Sequence, residues 1–188
     1  FDDTVVREIR ITFADSNWYT TLYQSHASDP DDPYFPARFQ CGDVVLEPVG
    51  VRFKGNASFR RSGTKKSFKI DFNEYQDETT FLGLKKLNLN NGDLQPDFLR
   101  EKLFLDFAGK LIPAMRAVHV RLVVNDELQG LFVGVEQPDK TMMRDRFGGD
   151  EDGNLFEAGE AGADLTYRGA DPGSYFSLYE LKPNEEAN

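Results

Sequence analysis

Between residues 39 and 90 the chain repeats one motif, short stretches in which apolar and polar side chains alternate, broken by Gly, Pro and Asp. A period of two places alternate side chains on opposite faces of a strand. Residues 39–41, 43–49, 51–54, 67–72 and 86–90 are therefore expected to form successive strands of an antiparallel meander. In the fourth of these Phe68, Ile70 and Phe72 share one face, and Ser67, Lys69 and Asp71 share the other. The same alternation marks residues 6–13, with Ile9 and Ile11 on one side, and two later strands at 117–124 and 131–136, joined by a turn-rich connection at 125–130. Helices are expected at 18–23 and 140–146. A third is expected to open at Pro96 and Asp97 and to stop at Pro113, with Leu99, Leu103, Phe107 and Leu111 as its core stripe. These elements predict an α+β fold, an antiparallel sheet with a few packed helices. From Gly148 the composition turns to Gly, Asp and Glu, and only 153–156 and 175–182 carry an ordered pattern. No internal repeat and no linker divides residues 1–188, which are expected to belong to a single domain.

The chain has the material for a core: 39% of its 188 residues are hydrophobic, and 16 Phe, seven Tyr and one Trp supply large apolar surfaces. No apolar run approaches the ~20 residues that cross a bilayer, so no membrane insertion is expected. A net charge of −10 argues against a nucleic-acid partner. Cys41 is the sole cysteine and has no Cys or His companion at zinc-ligand spacing, which excludes an internal disulfide and a structural zinc site. His26 and His119 stand apart and offer no triad. The acids at 29–36 lack calcium-loop spacing, and Asp150, Asp152 and Asn154 lack the lead-in acid and bidentate Glu that such a loop needs.

Against this acidic background the cations concentrate between Gly50 and Phe72: Arg52, Lys54, Arg60, Arg61, Lys65, Lys66 and Lys69. Such a cluster is expected to hold a small anion. Lys69 emerges from a strand whose other face is core; Lys66 takes its place if the strand starts earlier, because a shift of one residue exchanges the faces. Arg60 and Arg61 lie in a Ser- and Gly-containing turn able to offer guanidinium forks and backbone amides to phosphate oxygens. The turn is not a Walker A loop. Two carboxylates are candidates to orient the lysine. Glu101 lies in the first turns of the third helix, and Glu136 ends an apolar strand where burial would require a cation. Asn90, Asn91 and Asp93 are read as satisfying a strand-to-helix turn.

Six segments in order carry a resemblance: Lys54-Gly-Asn-Ala-Ser58; Lys65-Lys-Ser-Phe-Lys-Ile70; Leu87-Asn-Leu-Asn-Asn91 with Arg100-Glu101; Gly130-Leu-Phe-Val-Gly-Val-Glu136; Gly153-Asn-Leu-Phe156; and Tyr179-Glu-Leu-Lys-Pro-Asn-Glu-Glu186. Together they resemble the spore-coat protein H (CotH) kinase family over roughly residues 45–188. The resemblance implies the amino-terminal lobe of an atypical protein-kinase-like fold, and an ATP-dependent Ser/Thr protein kinase acting on a protein substrate with Mg2+ or Mn2+. By the same resemblance Lys69 or Lys66 would contact the ATP phosphates, with Arg60 and Arg61 over them, and Glu136 or Glu101 would orient the lysine. A spore-coat, secreted or extracellular location is implied as well. Family members also carry a catalytic Asp and a metal-binding Asp near a Trp-Asp-x-Asp segment, which this sequence does not contain. The 188 residues are therefore expected to be the nucleotide-phosphate-binding part of the kinase domain, inactive alone. The alternative is a non-catalytic scaffold for a coat, envelope or extracellular assembly.

Overall fold

The computed structural model describes residues 1–93, 97–148, 153–159 and 164–182. The chain divides into two units, Phe1–Gln137 and Pro138–Asn188.

The first unit is built on seven strands: β1 (Arg7–Thr12), β2 (Phe35–Cys41), β3 (Val44–Lys54), β4 (Ser67–Asp71), β5 (Lys86–Asn90), β6 (Ala117–Val124) and β7 (Glu127–Glu136). Their lateral order is β1-β2-β3-β4-β5-β7-β6, and the sheet closes because β1 also pairs with β6, in parallel, from Arg7 opposite Val120 to Ile11 opposite Val124. This overturns the expected α+β lobe with an antiparallel sheet. Among the described residues strand outweighs helix, and the main sheet is a closed, mixed barrel. The physical reason is that alternation identifies a strand without naming its partner. β1 carries hydrogen-bonding groups on both edges, and the pairing that satisfies its second edge lies more than a hundred residues away.

The meander itself follows the alternation, with β2, β3, β4 and β5 antiparallel in sequence. The two expected strands at 43–49 and 51–54 are one continuous β3. β2 begins at Phe35. Pro36 is tolerated there because it lies beyond the pairing with β1, which begins at Arg38, so its missing N–H is not needed on that side. The barrel interior is aromatic. Phe39, Phe53, Phe68, Phe72 and Phe132 are fully or almost fully buried, and the Phe68 ring lies 5.0 Å from Phe53, 6.2 Å from Phe132 and 6.2 Å from Trp18. Trp18 opens α1 (Trp18–Ser28), which extends five residues past the expected end and, with Phe13 stacked at 5.4 Å, plugs this core. The β6–β7 connection tightens to a two-residue turn with Asn125 and Asp126 both at positive φ. The Asn125 side chain accepts from the Phe13 amide at 2.7 Å and donates to its carbonyl at 3.2 Å, locking the end of β1. Asn125→Ala is expected to cost about 1–2 kcal/mol by urea unfolding followed on Trp18 fluorescence; a loss under about 0.5 kcal/mol would contradict this role.

A four-residue helix, α2 (Ala57–Arg60), follows β3, and α3 (Arg100–Ala108) lies against the outside of the barrel. Here the expected stripe is reversed: Leu99, Leu103, Phe107 and Leu111 are exposed, while Lys102, Leu105 and Ala108 are buried. Leu105 packs on Ala117, Val133 and Val135, which point outward from β6 and β7. Buried Lys102 is held by Asp3 at 3.0 Å and by Asp106. Spacing at four residues fits either face, and the outward valines of the barrel decide which one is covered. The Asp97 carboxylate accepts from the Leu99 amide at 3.0 Å in a local turn ahead of α3, whereas Pro96 lies outside the described residues.

In the second unit, α4 (Lys140–Phe147) is capped by Asp139, whose carboxylate accepts from the Met142 amide at 3.1 Å, and ends at Gly148 with φ 66°. Strands β8 (Phe156–Ala158) and β9 (Tyr179–Leu181) pair antiparallel, and a 3-10 turn spans Pro172–Tyr175. Asp150, Asp152 and the segment 183–188 lie outside the described residues. No helix among the described residues is long and apolar enough to cross a membrane.

Candidate functional site

On the outer face of the barrel in the first unit, a cavity of roughly 410 Å³ opens where β3, β4, β5 and β7 run side by side under the start of α3. Register explains which side chains meet. Lys54 stands opposite Ser67, and Asn90 opposite Val133, so the outward residues from neighbouring strand ends form one row across the sheet. Gly55, with φ 93°, turns the chain out of β3 immediately beyond Lys54, and Gly55 and Ser58 complete that wall. Glu101 enters from the first turn of α3, and Asn91, Gly92, Asp93 and Phe98 close the remaining side.

A chain of polar contacts joins the two charges. Lys54 Nζ donates to Asn90 Oδ1 at 3.3 Å, and Asn90 Nδ2 donates to Glu101 Oε1 at 2.6 Å. Asn91 braces the wall instead of facing the cavity alone. Its amide N–H donates to Ser67 Oγ at 3.0 Å, its side-chain Nδ2 donates to the Lys65 carbonyl at 2.7 Å, and its Oδ1 accepts from the Asp93 amide at 3.2 Å. Asn91 thus fulfils the expected turn role, whereas Asn90 belongs to the polar chain. Phe98 is a fixed wall. Its carbonyl accepts from His119 Nε2 at 2.8 Å, and its ring lies 4.3 Å from the Lys65 ammonium. Lys65 also donates to the Leu131 carbonyl at 2.6 Å, and burial against the Phe98 and Phe132 rings lowers its pKa. Among the described residues no three His, Cys, Asp or Glu side chains converge as metal ligands.

The expected site residues fall in several places. Glu101 lines the cavity. Lys69 is half-buried on the same outward face, one row away, between Arg52 and Asn88. Lys66 is 3% exposed, and its ammonium donates to the Phe59 and Arg61 carbonyls, each at 2.7 Å, tying α2 to the barrel. Arg61 pairs with Asp93 at 2.7 Å on the rim, and Arg60 is exposed. Glu136 is 1% exposed and grips Arg116, accepting from its backbone amide at 3.0 Å and from its guanidinium at 2.6 and 3.2 Å. Buried Glu136 thus has a cationic partner in Arg116.

Lys54 and Asn90 were the cavity groups that cation density concealed. The signal for Lys54 was its place as the last outward residue of an alternating strand, directly before the Gly-Asn-Ala-Ser turn. The one for Asn90 was its shared parity with Asn88 and Lys86 on β5.

An ammonium held at a strand end, a carboxylate on the facing helix, and hydroxyl and side-chain amide groups around them converge on this cavity, and an ammonium with such donors is chemistry of the kind that holds an anion's oxygens. Among the described residues the cavity presents two carboxylates, Asp93 and Glu101, and no third His, Cys, Asp or Glu that would complete a set of metal ligands.

No curated protein matches the chain. The family model described as CotH kinase protein matches residues 51–188, a span that includes Lys54, Asn90, Glu101 and every other wall of the cavity. The chain belongs to the CotH family.

Proposed function

We propose that the protein acts as an ATP-dependent protein kinase of the CotH type, and that the cavity of the first unit is where it holds the nucleotide phosphates. The observation that carries this reading is the Lys54–Asn90–Glu101 chain inside this cavity, in a chain of this family. Phosphoryl transfer demands little covalent chemistry from a protein. It demands cations fixed on the phosphates, a carboxylate to fix the cation, and divalent metal to neutralise developing charge. Lys54 serves as the phosphate cation and Glu101 as its orienting acid. Lys69 stands one row further along the sheet, and Arg61 is paired with Asp93 at the rim. Lys66 and Glu136 serve the barrel, through the Phe59 and Arg61 carbonyls and Arg116 respectively. Mg2+ or Mn2+, accompanying ATP, would supply charge neutralisation, and a Ser or Thr hydroxyl of a protein would be the acceptor.

Titration calorimetry with Mg-ATP tests the reading. The 188-residue chain is expected to bind Mg-ATP without turning it over, and Lys54→Met to bind it at least about tenfold more weakly, as the loss of one charge-assisted contact implies. No Mg-ATP binding by the unaltered chain, or none lost in Lys54→Met, would overturn it and leave the scaffold alternative standing.

A further inference from the structure

We infer that Asn90 is a positioning residue that relays the Glu101 carboxylate to Lys54, so that Glu101 sets the lysine's place through an amide; this rests on the reading of the cavity as a phosphate site. A lysine stem has four rotatable carbons, and its ammonium stays at one point only if acceptors hold it there. Asn90 is the last residue of β5 and pairs with Val133 of β7, so its backbone is anchored in the barrel and gives a base from which to hold it. Its amide is oriented by charge at both ends. The oxygen faces the Lys54 ammonium at 3.3 Å, and the nitrogen faces Glu101 Oε1 at 2.6 Å. Turning the amide over would set N–H against ammonium and C=O against carboxylate, so the two charges select one orientation. The short bond to Glu101 polarises the amide and strengthens the carbonyl as an acceptor for the lysine.

The relay makes a prediction that simple packing does not, because the order of the two groups can be exchanged. In the double variant Asn90→Asp with Glu101→Gln, a carboxylate on β5 accepts from Lys54 and an amide on α3 donates to that carboxylate. Connectivity and net charge are conserved. Asn90→Asp alone sets two carboxylates against each other. Mg-ATP calorimetry is expected to show Asn90→Leu and Asn90→Asp each binding about tenfold or more weakly, and the exchanged pair returning to within roughly threefold of the unaltered chain. Glu101→Gln introduced on top of Asn90→Leu is expected to add less than about twofold, since the relay is already cut. If Asn90→Leu binds as the unaltered chain does while Lys54→Met does not, the relay is wrong and the phosphate site stands. Should Asn90→Leu fail to fold by thermal melting, the exchanged pair decides, and no recovery over Asn90→Asp alone overturns the relay. Binding unaffected by Lys54→Met removes the phosphate site and the relay together.

Discussion

Phe68→Ala is expected to destabilise the barrel by about 3–5 kcal/mol, the range found when a buried phenylalanine is truncated in a core that cannot collapse around the space. Phe68 is 2% exposed, and its ring is ringed by Phe53, Phe132 and Trp18 at 5.0 to 6.2 Å, contributions from β3, β7 and α1. A closed barrel leaves its strands little freedom to move inward, so the cavity term adds to the lost transfer energy. The sole tryptophan, Trp18, lies in the first unit beside the altered ring, so its fluorescence follows that unit's unfolding without interference from the second. The midpoint of the fluorescence-detected melt should fall by roughly 10 °C. A fall equivalent to less than about 1.5 kcal/mol would show that the interior relaxes in a way the ring contacts do not suggest.

Gly92→Ala is expected to damage both stability and the cavity. Gly92 has φ 69°, where a side chain costs about 1–2 kcal/mol, and an added Cβ would overlap the Phe98 ring. Phe98 has φ 55° and is itself strained. It keeps its place through the Lys65 ammonium against its ring and the His119 hydrogen bond to its carbonyl, so it cannot step aside without losing one of them. A total near 2–3 kcal/mol follows from backbone strain plus displacement of the ring. Because both residues are walls of the cavity, Mg-ATP affinity should fall along with the melting midpoint. Preserved affinity in a destabilised Gly92→Ala protein would mean that the Phe98 wall is not used by the nucleotide.

The sequence read most accurately where a local period and a tertiary requirement coincide. Phe68, Ile70 and Phe72 alternate, and all three are buried; β1, β4, β5 and β6 lie within a residue or two of their expected bounds. It failed where the deciding contact is distant. Nothing within residues 6–13 announces that Arg7–Thr12 will lie parallel to Ala117–Val124, so the barrel read as an open antiparallel sheet. Nor does α3 say which of its two apolar faces will meet Val133 and Val135, because those valines alternate on β7 with Phe132 and Gly134, and the pattern shows that both faces of the strand are apolar without showing what covers the outer one. In the cavity, cation density drew attention to Lys65, Lys66 and Lys69. Yet Lys65 and Lys66 spend their charge on main-chain carbonyls and aromatic rings, uses that local charge counting cannot distinguish from a ligand site. Lys54, with fewer charged neighbours, sits where the strand row meets Glu101.

The parallel seam between β1 and β6 also sets an order of events in time. β1 is made before β6 but finds this partner only after residue 124 has been made, so during synthesis Ile9 and Ile11 wait on an open edge for more than a hundred residues. Closing so distant a contact is slow compared with forming the hairpins between β2 and β5. The nascent chain therefore passes through an interval in which its meander is formed and its seam is not. During that interval it is most in need of protection from pairing with a neighbour.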